Sequence, residues 1–241
     1  MALADNIISA WNCDESSGNL IDSAGSNTLT NVNTATFAAG KINNGTDLER
    51  SSTQYFTITD AAQSGLDITG DFTFNLWYKP ETQPDNGDGA WFISKFAGGA
   101  QAYRFAYEVN VAGTVRTLTL ETTGGLGYIR STAVISELTN GTWWMITVAS
   151  IGGLIEFYVN GASVGTAIGN STIDNSSADF FLGCQNDTNG RIDGMLDIIA
   201  LFARGVSGAE ASTLYNTNVG LQFPYGGGVV IRSLPLLGVG T

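Results

Sequence analysis

The chain has 241 residues, a formal net charge of −12 and no histidine. Without histidine there is no Ser-His-Asp or Cys-His catalysis and no His-ligated zinc, and 2 cysteines are too few for a Cys-rich metal site. With neither ligand type, any metal would be a hard cation held by oxygens, calcium first, and only 10 Lys and Arg against 22 Asp and Glu argue against a nucleic-acid binder, which needs clustered cations.

The opening Met1-Ala2-Leu3-Ala4-Asp5 has neither a basic n-region nor an apolar h-region, so no secretory signal is recognised. No apolar run reaches the length of a membrane span, and no membrane insertion is expected. Short alternating or apolar segments predict strands over residues 6–11, 55–59, 71–78, 90–96, 103–111, 114–121, 142–150, 154–160, 179–184 and 194–202. In the segment 72–78 the period is two, with Phe72, Phe74, Leu76 and Tyr78 on one face. Ala112-Gly113 reads as a hairpin turn. Asn160-Gly161 is the stronger signal, because a type I′ turn needs positive φ at both positions.

A single helix is announced, by the capping box Ser207-Gly208-Ala209-Glu210, and it carries Ala211, Leu214 and Tyr215 to an end near Asn216 or Asn218. Hydrophobic residues at 43% supply a core, and the 13% charged content is about half the usual quarter. The pattern as a whole predicts an all-β fold: a two-sheet antiparallel sandwich with one short C-terminal helix. Gly226-Gly227-Gly228 breaks the composition, dividing a body over 1–225 from a glycine hinge and apolar tail over 226–241. Cys13 and Cys184 are far apart in sequence and read first as two buried thiols, with a disulfide as the alternative.

An ordered set of landmarks then resembles a known family. Trp11 with 14–19 and 22–27 comes first, followed by Gly40-Lys41-Ile42-Asn43-Asn44-Gly45 and by Gly70-Asp71-Phe72-Thr73-Phe74 with Trp77. Gly141-Thr142-Trp143, Phe157-Tyr158-Val159-Asn160-Gly161, Phe181-Leu182-Gly183 and Gly194-Met195-Leu196-Asp197 follow, before the helix. Together they resemble laminin G-like, concanavalin A-like lectin/glucanase jelly-roll domains over about residues 5–218. One departure is Trp143-Trp144, where the family usually has Trp-His.

The resemblance implies a jelly roll used for adhesion and glycan binding, with one calcium held by Asp22, Asn27 and Asp197, and Asp14 as a further carboxylate. The competing reading of these residues is that they cap turns. The acidic run Asp85-Asn86-Gly87-Asp88-Gly89 lacks the distal Glu of an EF-hand and reads as a solvated turn. Retaining glucanases of this superfamily need two strand carboxylates about 5 Å apart. No strand carries the alternating Glu-x-Asp-x-Glu pattern, so no catalytic residue is assigned and a non-enzymatic role is expected. Trp91, Tyr103 and Tyr107 are the candidates for stacking on a sugar, while Trp77, Trp143 and Phe157 read as core.

Val229, Val230, Ile231, Leu234, Leu236 and Leu237 make the tail strand-competent, either as an extra strand of its own body or as an assembly arm reaching other protein subunits. The sequence reading is therefore a structural or adhesive surface protein, in a virion (a bacteriophage decoration or fibre) or on another extracellular surface. The alternative is a calcium-dependent carbohydrate-binding lectin, with glycoside hydrolase third.

Overall fold

A computed structural model of the chain describes residues 2–97, 99–124, 127–169, 173–186 and 189–225. Its first strands are β1 (Ile7–Trp11), β2 (Thr30–Val32), β3 (Thr36–Ala39), β4 (Asn44–Leu48) and β5 (Tyr55–Ile58). The longer β6 (Phe72–Pro80), β7 (Gly89–Ala97), β8 (Ala100–Val109), β9 (Arg116–Gly124) and β10 (Gly127–Ile135) follow. The chain continues with β11 (Trp144–Ile151), β12 (Leu154–Val159), β13 (Ala162–Ile168), β14 (Phe180–Leu182), β15 (Gly194–Phe202) and the helix α1 (Gly208–Tyr215).

The strands form two antiparallel sheets. One runs β13-β12-β11-β6-β15-β4-β3 with β1 also on β15, and the other runs β10-β9-β8-β7-β14-β5-β2. The predicted alternation of β6 explains how they face each other. Phe72, Phe74, Leu76 and Tyr78 enter the core between the sheets, beside Phe92 and Phe105 from the opposite layer. The other face of β6 is apolar too, because Trp77 packs with Met145, Ile198 and Leu214 under α1. The eight-stranded sheet is thus covered on both sides around β6, β11 and β15, and among the described residues no α-helix lies on the outer face of the seven-stranded sheet.

The predicted local signals are present. Ser207 and Glu210 form the reciprocal capping box, and Asn216 closes the helix in the left-handed region. Asn160 and Gly161 both have positive φ, +52° and +75°, as a type I′ turn requires. Ala112-Gly113 sits instead inside a longer loop, where the Asn110 side chain accepts from Thr114 N and Val115 N and replaces a two-residue turn. Trp143 is half-buried at the edge of the cluster beneath the helix rather than in the central core. Cys13 and Cys184 are buried thiols. Residues 226–241, with the tail positions Val229, Val230, Ile231, Leu234, Leu236 and Leu237, lie outside the described residues.

Candidate functional site on the outer face of the seven-stranded sheet

Strand alternation sorts the side chains of β8. Tyr103, Phe105, Tyr107 and Val109 point into the core, so Arg104 and Glu108 point out. On β9 Leu118 and Leu120 are core, and Thr117, Thr119 and Glu121 face out. Register then brings the charges together. Glu121 lies directly between Arg104 on β8 and Arg130 on β10.

The result is an alternating charge chain across three strands. The Arg104 Nε donates to Glu121 Oε2, and Arg130 pairs through one Nη with Glu108. The other Arg130 nitrogen stands 3.1 Å from Glu121 Oε1, a close ion pair rather than an aligned hydrogen bond. Glu121 is completely buried, whereas the Arg130 side chain is 46% exposed. A buried carboxylate survives only when compensated, and here two guanidinium groups do so. Arg104 is in turn held between rings, 4.3 Å from the centre of Trp91 and 4.2 Å from that of Phe96.

At one end of this face a pocket of about 320 Å³ opens between the sheet and two loops. Its polar lining is Glu108, Thr117 and Arg130 from the strands with Asp88 and Asn110 from the loops, and exposed Val111 and Val115 form an apolar rim. The loop at Asp85–Asp88 is a turn, closed by Asp88 N donating to Asp85 O at 2.9 Å.

This arrangement corrects the aromatic assignment. Tyr103 and Tyr107 cannot stack on a sugar, because both are wholly buried core residues. Their hydroxyls donate inward, to Leu66 O at 2.8 Å and Gln83 Oε1 at 2.9 Å. Trp91 does lie on the outer face but is 5% exposed, covered by Arg104 and by the turn whose Gly190 O accepts from Trp91 N. The charge chain that surrounds it went unrecognised because Arg104, Glu108, Glu121 and Arg130 are single residues in sequence. Only strand register brings them together.

The residues expected at a calcium site have their oxygens committed elsewhere. Asp22 Oδ1 accepts from Ala10 N, Ala24 N and Gly25 N at 3.0, 3.0 and 2.9 Å, and its Oδ2 accepts from Asn27 N at 2.9 Å. Those four donors fill the acceptor capacity of a carboxylate. Asn27 Oδ1 accepts from Ser64 N at 2.7 Å, and its amide donates to Ser9 Oγ and Ser64 O. Asp197 accepts from Lys41 N at 2.7 Å, Ile42 N at 3.0 Å and Ile198 N at 2.7 Å. Burial raises the Asp197 carboxyl to about 7, against the lowering effect of those three donors. Asp14 is exposed and bonded to Gln222. Calcium needs six to eight available oxygens, and this donor set does not fit it. Among the described residues, carboxylate oxygens from Asp47, Glu49 and Glu81 lie within 4.8 Å of one another, a partly exposed group flanked by the counter-charge of Lys79.

Nor do the described residues of the face offer a hydrolytic pair. Glu108 and Glu121 are both engaged by guanidinium groups, and Glu121 has no exposed surface through which to reach a glycosidic oxygen.

Comparison with known proteins agrees with the architecture. No curated protein sequence matches the chain. Among solved structures, domain 4 of AbnA, a GH43 extracellular arabinanase from Geobacillus stearothermophilus in complex with arabinotriose, superposes with a TM-score of 0.65 at 16% identity, covering 86% of this chain and 97% of that one. The binding domain of Paraclostridial Mosquitocidal Protein 1 superposes with a TM-score of 0.69 at 16% identity, covering 90% and 53%. The binding domain of botulinum neurotoxin DC in complex with SialylT gives 0.68 at 14% identity, covering 90% and 52%. The chain spans about half the length of these toxin binding domains, and at such identities the likeness establishes the fold alone. A laminin G-like family profile, described as concanavalin A-like lectin/glucanases superfamily, matches residues 50–212, more than half of the chain. The two-sheet sandwich and this match together place the chain in the concanavalin A-like lectin/glucanase superfamily.

Proposed function

We propose that the chain is a non-enzymatic carbohydrate-binding module that takes its glycan on the outer face of the seven-stranded sheet. The observation that carries this reading is the pocket lined by Glu108, Thr117 and Arg130. It is a concave patch where hydroxyl, carboxylate and guanidinium groups meet the apolar Val111 and Val115, on a sheet face that no α-helix covers among the described residues. Fold does not specify function, but the solved relatives lend support: one is an arabinanase domain in complex with arabinotriose and another a toxin binding domain in complex with SialylT.

Binding is independent of calcium in this reading, since the oxygens of Asp22, Asn27 and Asp197 are already committed to protein donors. It places the module in an extracellular or surface setting, and no helix among the described residues is long and apolar enough to cross a membrane. The virion-assembly role draws on the low charge content and on the apolar tail beyond the fold, and that tail lies outside the described residues. A printed glycan array probed with the full chain tests the proposal. Specific binding that survives chelator, without release of reducing ends, is the expected result. Uniform background across the array, or turnover of a bound glycan, would overturn it.

A further inference from the structure

We infer that the pocket at Arg130 receives the terminal ring of an uncharged glycan through adjacent hydroxyls, and that it discriminates against glycans ending in a carboxylate. The inference rests on the carbohydrate-binding reading and adds the class of sugar.

Three observations lead to it. The first is size. A volume of about 320 Å³ is at the low end for ligand pockets, which suits a chain end rather than the middle of a polysaccharide.

The second is the chemistry of the lining. Arg130 offers a planar fork of N–H donors, and its side chain is 46% exposed even while it holds Glu108 and Glu121. Glu108 supplies acceptors beside that fork, and Thr117 supplies a hydroxyl from the neighbouring strand. A pair of adjacent sugar hydroxyls presents two donors and two acceptors at matching spacing, so one can donate to Glu108 while the other accepts from Arg130. The sugar replaces pocket water without having to break the ion pair.

The third is charge. Arg130 is the cation in this lining, and its charge is already shared by two carboxylates. Asp88 adds a further negative charge on the loop side, and the whole chain carries −12. An acidic sugar would therefore meet Glu108 and Asp88 with no uncommitted cation to receive it, and would approach against the field of the entire molecule.

The test uses the full chain on matched pairs of oligosaccharides that share a core and differ by a terminal sialic acid, read by array and then by titration calorimetry of the strongest neutral binder. The expected result is binding of the uncapped member and at least a tenfold loss on capping. Arg130→Gln and Glu108→Gln should each weaken binding at least tenfold. Because these substitutions disturb a charge network, Val111→Trp is the control: Val111 is exposed on the rim, so the variant folds and obstructs the pocket, with a similar loss expected. Preference for the sialylated member would overturn the inference and leave the carbohydrate-binding reading standing. Neutral binding that Val111→Trp and Arg130→Gln leave unchanged would show the sugar sits elsewhere and would also overturn it. Failure to bind any glycan on the array would overturn the reading on which it rests.

Discussion

Lys95 gives the sharpest test of how the seven-stranded sheet is held together. It is a completely buried lysine on β7, and its ammonium group sits among four oxygens. It lies 2.7 Å from Asp60 Oδ1, 2.9 Å from Asp67 Oδ1 and 2.8 Å from Ala178 O, and it also donates to Ser176 O. One cation thus ties the segments around 60–67 and 176–178 to the sheet. Lys95→Met keeps the apolar stem and removes the charge, leaving two carboxylates and two carbonyls without their donor. Breaking a buried ion pair costs about 3–5 kcal/mol. Asp60 and Asp67 are roughly a third exposed and can rehydrate, so the cost belongs at the lower end, about 3 kcal/mol. For a domain of this size that corresponds to a fall in Tm of about 6–12 °C. Urea unfolding with an unchanged m-value is the assay, and Lys95→Met combined with Asp60→Asn and Asp67→Asn should recover most of the loss, because the carboxylates no longer need a cation. A loss below about 1 kcal/mol for the single variant would refute the claim that Lys95 is the tie.

Asp197 predicts the pH dependence. Its carboxyl is raised in the folded state from an ordinary 3.8 to about 7, so its contribution is present below about 4 and is lost as pH rises through 7. Burial moves Glu81 in the same direction. The urea midpoint should be higher at pH 5 than at pH 8, Asp197→Asn should shrink that difference, and a higher midpoint at pH 8 would contradict the assignment. Asp22→Ala orphans four backbone N–H groups and should cost about 3 kcal/mol or more, whereas millimolar calcium added after chelation should leave the melting temperature of the native chain unchanged. A calcium-dependent rise in melting temperature would show that the Asp22 carboxylate is available to a metal. Gly161→Ala meets both a positive φ and a Cβ only 2.9 Å from Ser212 Cα and Tyr215 Cβ, so it should destabilise by more than about 1 kcal/mol; a neutral effect would mean that the hairpin does not dock on α1.

Much of the fold was legible because its signals are local. The alternation of β6, the Asn160-Gly161 turn and the Ser207 capping box each act within a few residues, and each stands where predicted. The strands that escaped notice are stabilised from outside. β4 is Asn44–Leu48, with an Asn-Gly that reads as a turn, yet it is paired on both edges by β3 and β15. Its Gly45 suits the close pairing, since a Cβ there would lie 3.1 Å from Leu196 O, tighter than most such contacts. The site was less legible for a related reason. Its charged residues lie on three strands joined only by register, whereas the inward placement of Tyr103 and Tyr107 was readable, since they share the apolar half of β8 with Phe105 and Val109. Asp22 and Asn27 show the converse: the resemblance marks them, and their hydrogen bonds give them a structural task.

The central claim is that a glycan binds at the outer face of the seven-stranded sheet. Backbone amide chemical shifts recorded while the full chain is titrated with its strongest array binder test that directly. The account predicts that the largest changes cluster at Asp88, Glu108, Val111, Thr117 and Arg130. Changes concentrated instead around Ser16–Asn19 and Thr34–Phe37, which line a separate pocket on the N-terminal loops, would contradict it.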